Sequence, residues 1–288
     1  VGISTTQALC VYVVADVTDS ANDGETIEIS INNPTTDVAV TSGGTIVPDS
    51  SVNITGSTTV RNAELSQTHY RWLNDDGVEG SASAIENEDT SAIGFANGTT
   101  RRLRLQVDAA GSTSSLPTTF QLEFATKTAA TCGEVSSWST VGSGGADWIM
   151  SSSGFITDGN DATNIGTGSG GLSDPSGASF LGTNGGLRDT SAQTGSLTLT
   201  SSQYVEFEFA VEPSTTAPQG TTYCFRLTDN GSELRNYATY AEGTISADVN
   251  VSASSTHIAT VETGSTTAYL GGIFVIERPG TARTLTNI

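Results

Sequence analysis

The chain has 288 residues, 31 of them acidic and 11 basic, and its formal net charge is −20 at pH 7. Because nucleic acids and anionic membrane surfaces are themselves negatively charged, this balance argues against both as partners. The chain has one lysine and two histidines, His69 and His257, so the residues that most often exchange protons in catalysis are nearly absent. We therefore expect that it is not an enzyme.

The first 60 residues predict short β-strands. Ala8–Val17 is apolar enough for a buried strand, but its apolar run is too short to cross a bilayer, so no membrane insertion is expected. Thr26–Ile31 alternates between polar and apolar residues, with three isoleucines on one face. Asp37–Thr41 is a shorter candidate.

An acidic loop connects the first two of these predicted strands. Its oxygen-bearing side chains are Asp16, Asp19, Asn22, Asp23 and Glu25. Hard oxygen ligands at this spacing could bind Ca²⁺, although the EF-hand pattern fails at Ala21 and Ser30. Turn-forming polar residues are the alternative interpretation. A second acidic loop, Asp158–Asp161, allows the same two interpretations.

The middle of the chain carries the most regular strand patterns. Its candidate strands are His69–Leu73, Arg101–Val107, Phe120–Phe124, Tyr204–Val211 and Thr222–Leu227. Alternation in Arg101–Val107 turns the apolar side chains inward and turns Arg102, Arg104 and Gln106 outward. Together with Arg101, these arginines form the main basic cluster of the sequence, and we interpret it as an ion-pairing sheet face.

Gly142–Gly195 differs from its surroundings because it is rich in Gly, Ser, Asn and Asp. It predicts a long loop excursion. Since about 50 residues without secondary structure are unusual in a compact domain, we expect short strands inside it. Sustained helical periodicity is absent from the sequence, and Ala82–Glu88 is the one candidate for a single helical turn.

Changes in composition near Val60 and Glu242 divide the chain into residues 1–60, 61–241 and 242–288. The middle part carries all three tryptophans and can bury the one large core, whereas the flanking parts are short for independent folding. Three further strands are predicted near the end, at His257–Val261, Gly272–Glu277 and Arg283–Ile288. The expected fold is all-β, with a central β-sandwich.

Four stretches of the middle part resemble a secreted β-sandwich module of very large, repetitive bacterial surface proteins of the adhesin or fibre type. They are HYRWLNDDG at His69–Gly77, RRLRLQV at Arg101–Val107, TCGEVSSWSTV at Thr131–Val141 and TTYCFRLTDNG at Thr221–Gly231. The flanks, with LCVYVVADV and AYLGGIFVIERPGTARTLTNI, resemble the closing and opening halves of an Ig-like module from such arrays. This resemblance implies partial Ig-like segments on both sides of the sandwich and an extracellular, cell-surface location.

The cysteines are Cys10, Cys132 and Cys224, and none forms a C-x-x-C pair, which argues against a zinc or redox motif. Extracellular context favours a disulfide between Cys132 and Cys224, because both fall in the middle part; two buried free thiols are the alternative. Cys10 is left over. It is either a buried small side chain or one half of an intermolecular disulfide.

Two features bear on glycans. N-x-S/T sequons, which accept N-glycosylation in a glycosylating host, occur at Asn53, Asn97, Asn230 and Asn250. Trp148 lies in the Gly-rich excursion and is the best candidate for an exposed aromatic ring that contacts a glycan. Trp72, by contrast, is predicted in the core.

Taken with the resemblance, these patterns predict a structural protein. We expect a subunit or repeat of a surface fibre or adhesin that pairs head to tail with itself or with neighbouring repeats through β-strands. In this arrangement the flanking strands complete a sandwich with strands from another chain. A carbohydrate-binding module of a secreted protein is the alternative, and no cofactor is expected beyond the Ca²⁺ considered above.

Overall fold

The computed structural model describes residues 13–17, 21, 24–40, 44–60, 63–142, 144–182 and 185–247, and the backbone of 250–253 and 274–277. Nearly all of its regular structure is β, as the sequence predicted. The chain divides into two compact units, Val1–Asn62 with Gly111–Thr113, and Ala63–Ala110 with Ser114–Ile288. Within the described residues, none of the helices has the length and apolar character needed to cross a membrane.

The described residues of the N-terminal unit form four two-residue strands and one helical turn. They are β1 (Thr26–Ile27), β2 (Ser30–Ile31), α1 (Pro34–Asp37), β3 (Val52–Asn53) and β4 (Thr58–Thr59). Two antiparallel pairs result, β1 with β4 and β2 with β3. The predicted strand Thr26–Ile31 is therefore interrupted after Ile27. The predicted strand at 37–41 is wrong over its described residues, because Pro34, with its fixed φ, begins a helix that ends at Asp37.

Apolar side chains of this unit are mostly exposed. Residues 13–17 form no strand, contrary to prediction, and Val14 is 87% exposed; the rest of the predicted strand Ala8–Val17 lies outside the described residues. Ile29 and Ile31, expected on a buried face, are 38% and 41% exposed. Pro34 is the single buried residue in the described part of the unit. That part therefore has no core of its own.

The second unit is a β-sandwich. Its strands are β5 (Ala63–Asn74), β6 (Ala92–Phe95), β7 (Arg101–Gly111), β8 (Thr118–Thr126), β9 (Ser139–Thr140), β10 (Trp148–Met150), β11 (Ser179–Phe180), β12 (Leu187–Arg188), β13 (Gln193–Leu197), β14 (Gln203–Pro213), β15 (Thr222–Asp229), β16 (Ser232–Glu233), β17 (Asn236–Tyr237) and β18 (Ala241–Ile245). The first sheet has the order β10-β14-β7-β5-β17, and the second has the order β13-β8-β15-β18-β6. The sandwich thus extends to Ile245. The helical turn predicted at Ala82–Glu88 does not form, since Ala84 instead bridges to Leu73.

The core between the two sheets follows the alternation of the long strands. Leu103, Leu105 and Val107 of β7 are fully buried and pack in one cluster with Phe207 of β14 and Phe225 of β15. Trp72 of β5 lies in the same cluster, as predicted, and its indole N–H donates to the Glu242 carbonyl oxygen at 2.9 Å. Burial of large aromatic and aliphatic side chains on both sheets is the main source of stability here.

The Gly-rich excursion is ordered because it supplies partners to the edge of β14. In three places a short strand from this segment pairs with β14: β10 is antiparallel to it, and β11 and β12 are parallel to it. A fourth strand, β13, pairs with β8 in the other sheet. Short strands inside the excursion were predicted from its length. Besides these pairings, a small apolar cluster of Ile156, Ala162 and Leu187 packs against Ala210 of β14.

Close backbone approach within this segment requires glycine at particular positions. A Cβ on Gly171 would overlap the backbone carbonyl group of Ile165, and a Cβ on Gly186 would lie 2.8 Å from the Cβ of Ala162. Gly168, two residues before a left-handed turn at Gly170, faces open space instead. The glycines of the segment therefore differ sharply in what they contribute.

A disulfide joins Cys132 and Cys224, as predicted, with the two Cα atoms 5.7 Å apart. Cys224 lies on β15, and Cys132 begins a 3₁₀ turn at Cys132–Glu134. Both are buried in a small cluster with Ala125 and Val135. The bond closes a loop of 92 residues, and constraint of the unfolded chain by a loop of this size is worth about 4–5 kcal/mol in the chain-entropy account.

Beyond Ile245 the structure describes one further strand pair. The strands β19 (Asn250–Ala253) and β20 (Phe274–Glu277) pair antiparallel as a two-stranded sheet. β20 falls within the predicted strand Gly272–Glu277. The strands predicted at His257–Val261 and Arg283–Ile288 lie outside the described residues.

We predict that Gly171→Ala destabilises the sandwich and that Gly168→Ala does not. The added methyl group at 171 meets a fixed backbone carbonyl, which costs about 1–3 kcal/mol in a well-packed region. Urea unfolding followed by tryptophan fluorescence measures both variants. Equal unfolding midpoints for the two variants would show that the segment does not pack as described.

Candidate functional site

The prediction that Trp148 contacts a glycan is wrong, because this side chain is 0% exposed. β10 pairs antiparallel with the edge of β14, and that pairing turns Trp148 into the sandwich core. Its ring lies 4.9 Å from Phe225 and 5.7 Å from Trp72, centroid to centroid. The apolar residue two positions later, Met150, packs against the same core, and this spacing was a signal in the sequence for a short inward-facing strand.

Trp138 is the tryptophan that remains partly exposed. Its ring stacks on Tyr240 at 5.9 Å, and Tyr240 stacks on Tyr237 at 4.9 Å. The Arg226 guanidinium carbon lies 4.3 Å from the centroid of Trp138, within cation–π range. Burial raises the pKa of Tyr237 to about 12, so its hydroxyl stays protonated and donates to the Leu227 carbonyl oxygen. We refer to these four residues as the Trp138 cluster.

The Trp138 cluster lies beside the disulfide, with Arg226 on β15 of the second sheet and Tyr237 on β17 of the first. Trp138 and Tyr240 pack against the cluster that contains Cys132 and Cys224. Arg226 is fixed from the other side by ion pairs with Glu123 at 3.0 Å and Glu233 at 2.5 Å. The arrangement is a half-buried aromatic surface with a held cation and two carboxylates, a combination able to contact a sugar ring.

The outward-facing residues of β7 are also buried. Arg102, Arg104 and Gln106 are fully buried although they lie on the face opposite the core. The Gly-rich segment covers that face: the Thr163 carbonyl oxygen accepts from Arg104, and the Ser173 carbonyl oxygen accepts from Gln106 at 3.1 Å. The ion-pairing interpretation is confirmed for Arg102 and Arg104, but no pattern in the sequence indicated that the pairs would be shielded from water.

Arg104 is the centre of this buried network. Its guanidinium forms ion pairs with Glu206 at 2.5 Å, with Glu208 at 2.8 Å and with Glu79 at 2.9 Å. Glu206 and Glu208 come from β14, whose register places Glu208 directly opposite Arg104. Arg102 extends the network, since it lies 2.9 Å from Glu208.

The electrostatics of the network follow from its burial. Burial alone lowers the pKa of Arg104, but the charges of Glu206, Glu208 and Glu79 more than offset this, so the pKa is raised and the guanidinium stays charged. Burial also disfavours the charged form of Glu206 and therefore raises its pKa, although the charge of Arg104 acts in the opposite direction. Glu206 therefore depends on Arg104 for its charged state. This network is structural in geometry, since the covering segment and the sheet occupy all of its sides.

His69 lies in a second polar cluster at the start of the sandwich. Its Nδ1 is 2.6 Å from Asp89 Oδ2 and 3.1 Å from Glu88 Oε1. The hydrogen bond to Asp89 raises the pKa of His69, and the charges of Asp89 and Glu88 add to this effect against partial burial. Sequence reasoning missed this cluster because Glu88 and Asp89 lie in a loop some 20 residues after His69. The other histidine, His257, lies outside the described residues.

The two loops predicted to bind Ca²⁺ have different outcomes. In the first, Asp19, Asn22 and Asp23 lie outside the described residues, and the prediction stays open; Asp16 and Glu25 are exposed. In the second, the Asp158 carboxylate accepts the backbone N–H groups of Asp189 and Thr190 and lies 3.4 Å from Arg188. Those contacts match the turn-forming alternative for the second loop.

The sequons lie in varied surroundings. Asn97 is half-buried and donates its amide to the Ala217 carbonyl oxygen at 3.0 Å. Asn230 has a φ of 47° in a tight turn, and its amide oxygen accepts from Gln193 at 2.8 Å. Asn53 is exposed on β3, and Asn250 begins β19. Glycosylation at these positions stays a prediction, as does the structural role of Cys10, which lies outside the described residues.

Comparison with known proteins found no matching family model, no similar curated protein and no similar solved structure.

We predict that Arg104→Met destabilises the sandwich by about 3–5 kcal/mol, because it leaves the buried Glu206 carboxylate without its cation and leaves Glu208 paired with Arg102 alone. Arg101→Met is the matched control on the same strand, where the guanidinium donates to the Thr100 carbonyl oxygen. Chemical unfolding gives both values. A loss below 1 kcal/mol for Arg104→Met would contradict the network as described.

Proposed function

We propose that this protein is an extracellular structural module, a subunit or repeat of a surface fibre or adhesin that assembles through β-strand pairing between copies. The observation that carries the proposal is the exposed apolar surface of the N-terminal unit. Val14, Ile29, Ile31, Val47 and Ile54 of that unit are all exposed. Several exposed aliphatic side chains in one small unit are more than the scattered single residues of an ordinary surface, so a partner surface is expected.

The strand pairing within this unit supports the same idea. In the described residues, β1, β2, β3 and β4 form two sheets of only two strands each. Isolated two-stranded sheets are marginally stable in water, and their open edges are templates for pairing with another strand. The sheet formed by β19 and β20 is equally small and offers the same kind of edge.

We assign a second copy as the partner of these edges. A strand from the region of β19 and β20 of one copy would extend a sheet in the N-terminal unit of the next and bury the exposed Ile29 and Ile31. Because the two surfaces differ, the contact is heterologous, and repetition gives a filament rather than a closed dimer. Cys10 could add an intermolecular disulfide at this junction.

Two features of the sandwich suit it to an extracellular load-bearing role. The disulfide between Cys132 and Cys224 is typical of proteins outside the cytosol. The net charge of −20 keeps an exposed protein soluble and limits adhesion to anionic surfaces. Neither feature requires a catalytic centre.

We expect the full chain to form concentration-dependent assemblies, measured by analytical ultracentrifugation and by negative-stain electron microscopy. The double variant Ile29→Asp, Ile31→Asp should abolish assembly, since it places charges on the proposed contact.

The matched control is Val78→Asp with Leu116→Asp, which adds the same charges at exposed aliphatic positions of the sandwich unit. This control should assemble like the unmodified chain. A chain that stays monomeric at high concentration, or a control that disrupts assembly as strongly, would reject the proposal.

Glycan binding is the second candidate function, and one observation favours it. The Trp138 cluster presents a partly exposed, stacked aromatic surface next to the paired carboxylates of Glu123 and Glu233. Sugar rings bind aromatic faces through their C–H groups while polar side chains accept from their hydroxyls. This surface replaces Trp148 as the candidate glycan contact.

Fluorescence offers a direct test, because Trp72 and Trp148 are fully buried and Trp138 alone of the three tryptophans is solvent-accessible. A bound polysaccharide should shift the tryptophan emission and protect it from acrylamide quenching. Trp138→Phe should remove the response, and Trp148→Phe should keep it. Absence of any response across a panel of neutral polysaccharides would exclude this function.

A further inference from the structure

The His69 cluster has the composition of a metal site. One imidazole nitrogen and two carboxylate oxygens converge at a single point, and the three candidate ligand atoms lie within 4.8 Å of one another. In the described residues this is the one group of three or more metal-ligating side chains that meets this distance limit. All three side chains are partly open to solvent, with 34%, 17% and 29% of His69, Glu88 and Asp89 exposed, so an ion can reach them.

The distances between these atoms are close to those of a coordinated set. Bonds of about 2.0–2.2 Å to zinc place tetrahedral ligand atoms about 3.3–3.5 Å apart. His69 Nδ1 is 3.1 Å from Glu88 Oε1 and 2.6 Å from Asp89 Oδ2. Movements of under about 1 Å would therefore bring the ring and the carboxylates to metal-binding distances.

Hydrogen bonds to both carboxylates hold the ligands in place. Asp89 Oδ1 accepts the backbone N–H of Tyr70 at 2.9 Å, which leaves Oδ2 turned toward His69. The Ser173 hydroxyl donates to Glu88 Oε2 at 2.8 Å, and the Ser173 N–H donates to Oε1 at the same distance. Such outer hydrogen bonds orient carboxylates in metal sites and strengthen binding.

The ligand types select the class of ion. An imidazole with two carboxylates suits Zn²⁺ and related transition metals, whereas Ca²⁺ prefers six to eight oxygen ligands. The overall charge of −20 favours accumulation of any divalent cation at the surface. The imidazole is therefore the feature that distinguishes specific metal binding at this site from non-specific accumulation of cations on an acidic protein.

We infer that His69, Glu88 and Asp89 bind one divalent transition-metal ion, with zinc as the representative ion, and that water completes the coordination. The ion would tie strand β5 to the loop that carries Glu88 and, through Ser173, to the Gly-rich segment. This site is independent of the proposed assembly and of the Trp138 cluster.

Isothermal titration of the chelator-treated full chain with Zn²⁺ tests the inference. We expect one tight site per chain, at least tenfold weaker binding after His69→Ala or Asp89→Asn, and about tenfold weaker binding after Ser173→Ala. His257→Ala is the matched control, because it removes the other histidine and should leave the affinity unchanged. Circular dichroism and thermal unfolding in EDTA establish that each variant is folded.

Asp89→Asn keeps the shape of the side chain, so the inference can still be tested if the His69→Ala variant fails to fold. A parallel titration with Ca²⁺ should show binding at least tenfold weaker than that of Zn²⁺. Absence of Zn²⁺ binding, binding that persists unchanged in both His69→Ala and Asp89→Asn, or Ca²⁺ binding as tight as that of Zn²⁺ would each overturn the inference.

Discussion

The fold depends on neutralising the charges that lie on the outer face of the first sheet. Arg102 and Arg104 point away from the core, yet both are fully buried, and a buried guanidinium is tolerated only when carboxylates and carbonyl oxygens surround it. Glu206 and Glu208 on the neighbouring strand supply the charge, and the Gly-rich segment supplies the carbonyl of Thr163. The segment is thereby held on the sheet without a large apolar core of its own.

The two units of the chain differ in how much apolar surface they bury. The sandwich has an aromatic core on one side of the first sheet, the ion network on the other side of that sheet, and a disulfide on the outer face of the second sheet. The described part of the N-terminal unit buries only Pro34 and leaves its aliphatic residues in water. The sandwich has a core of its own, and the described part of the N-terminal unit does not. This difference is the physical basis for proposing assembly between copies.

Sequence periodicity predicted which side chains of a single long strand face the core. Alternation placed Leu103, Leu105 and Val107 in the core, and the extracellular setting expected from the resemblance favoured the disulfide. Periodicity could not show that the opposite face of β7 would be covered, because Thr163, the acceptor for Arg104, lies 59 residues away along the chain. The error at Trp148 has a similar cause: a three-residue strand is too short to display a pattern, and its partner β14 decides which way it faces.

Hydrogen–deuterium exchange of the Arg104→Met variant against the unmodified chain tests most directly whether buried charge holds the Gly-rich segment on the sheet. The account predicts that exchange accelerates most in this segment, including at the Leu187 N–H that donates to the Asn160 carbonyl oxygen, and much less at the amides of β15 in the second sheet. Unchanged exchange in the segment, or an equal increase in both sheets, would contradict the central role given to the network.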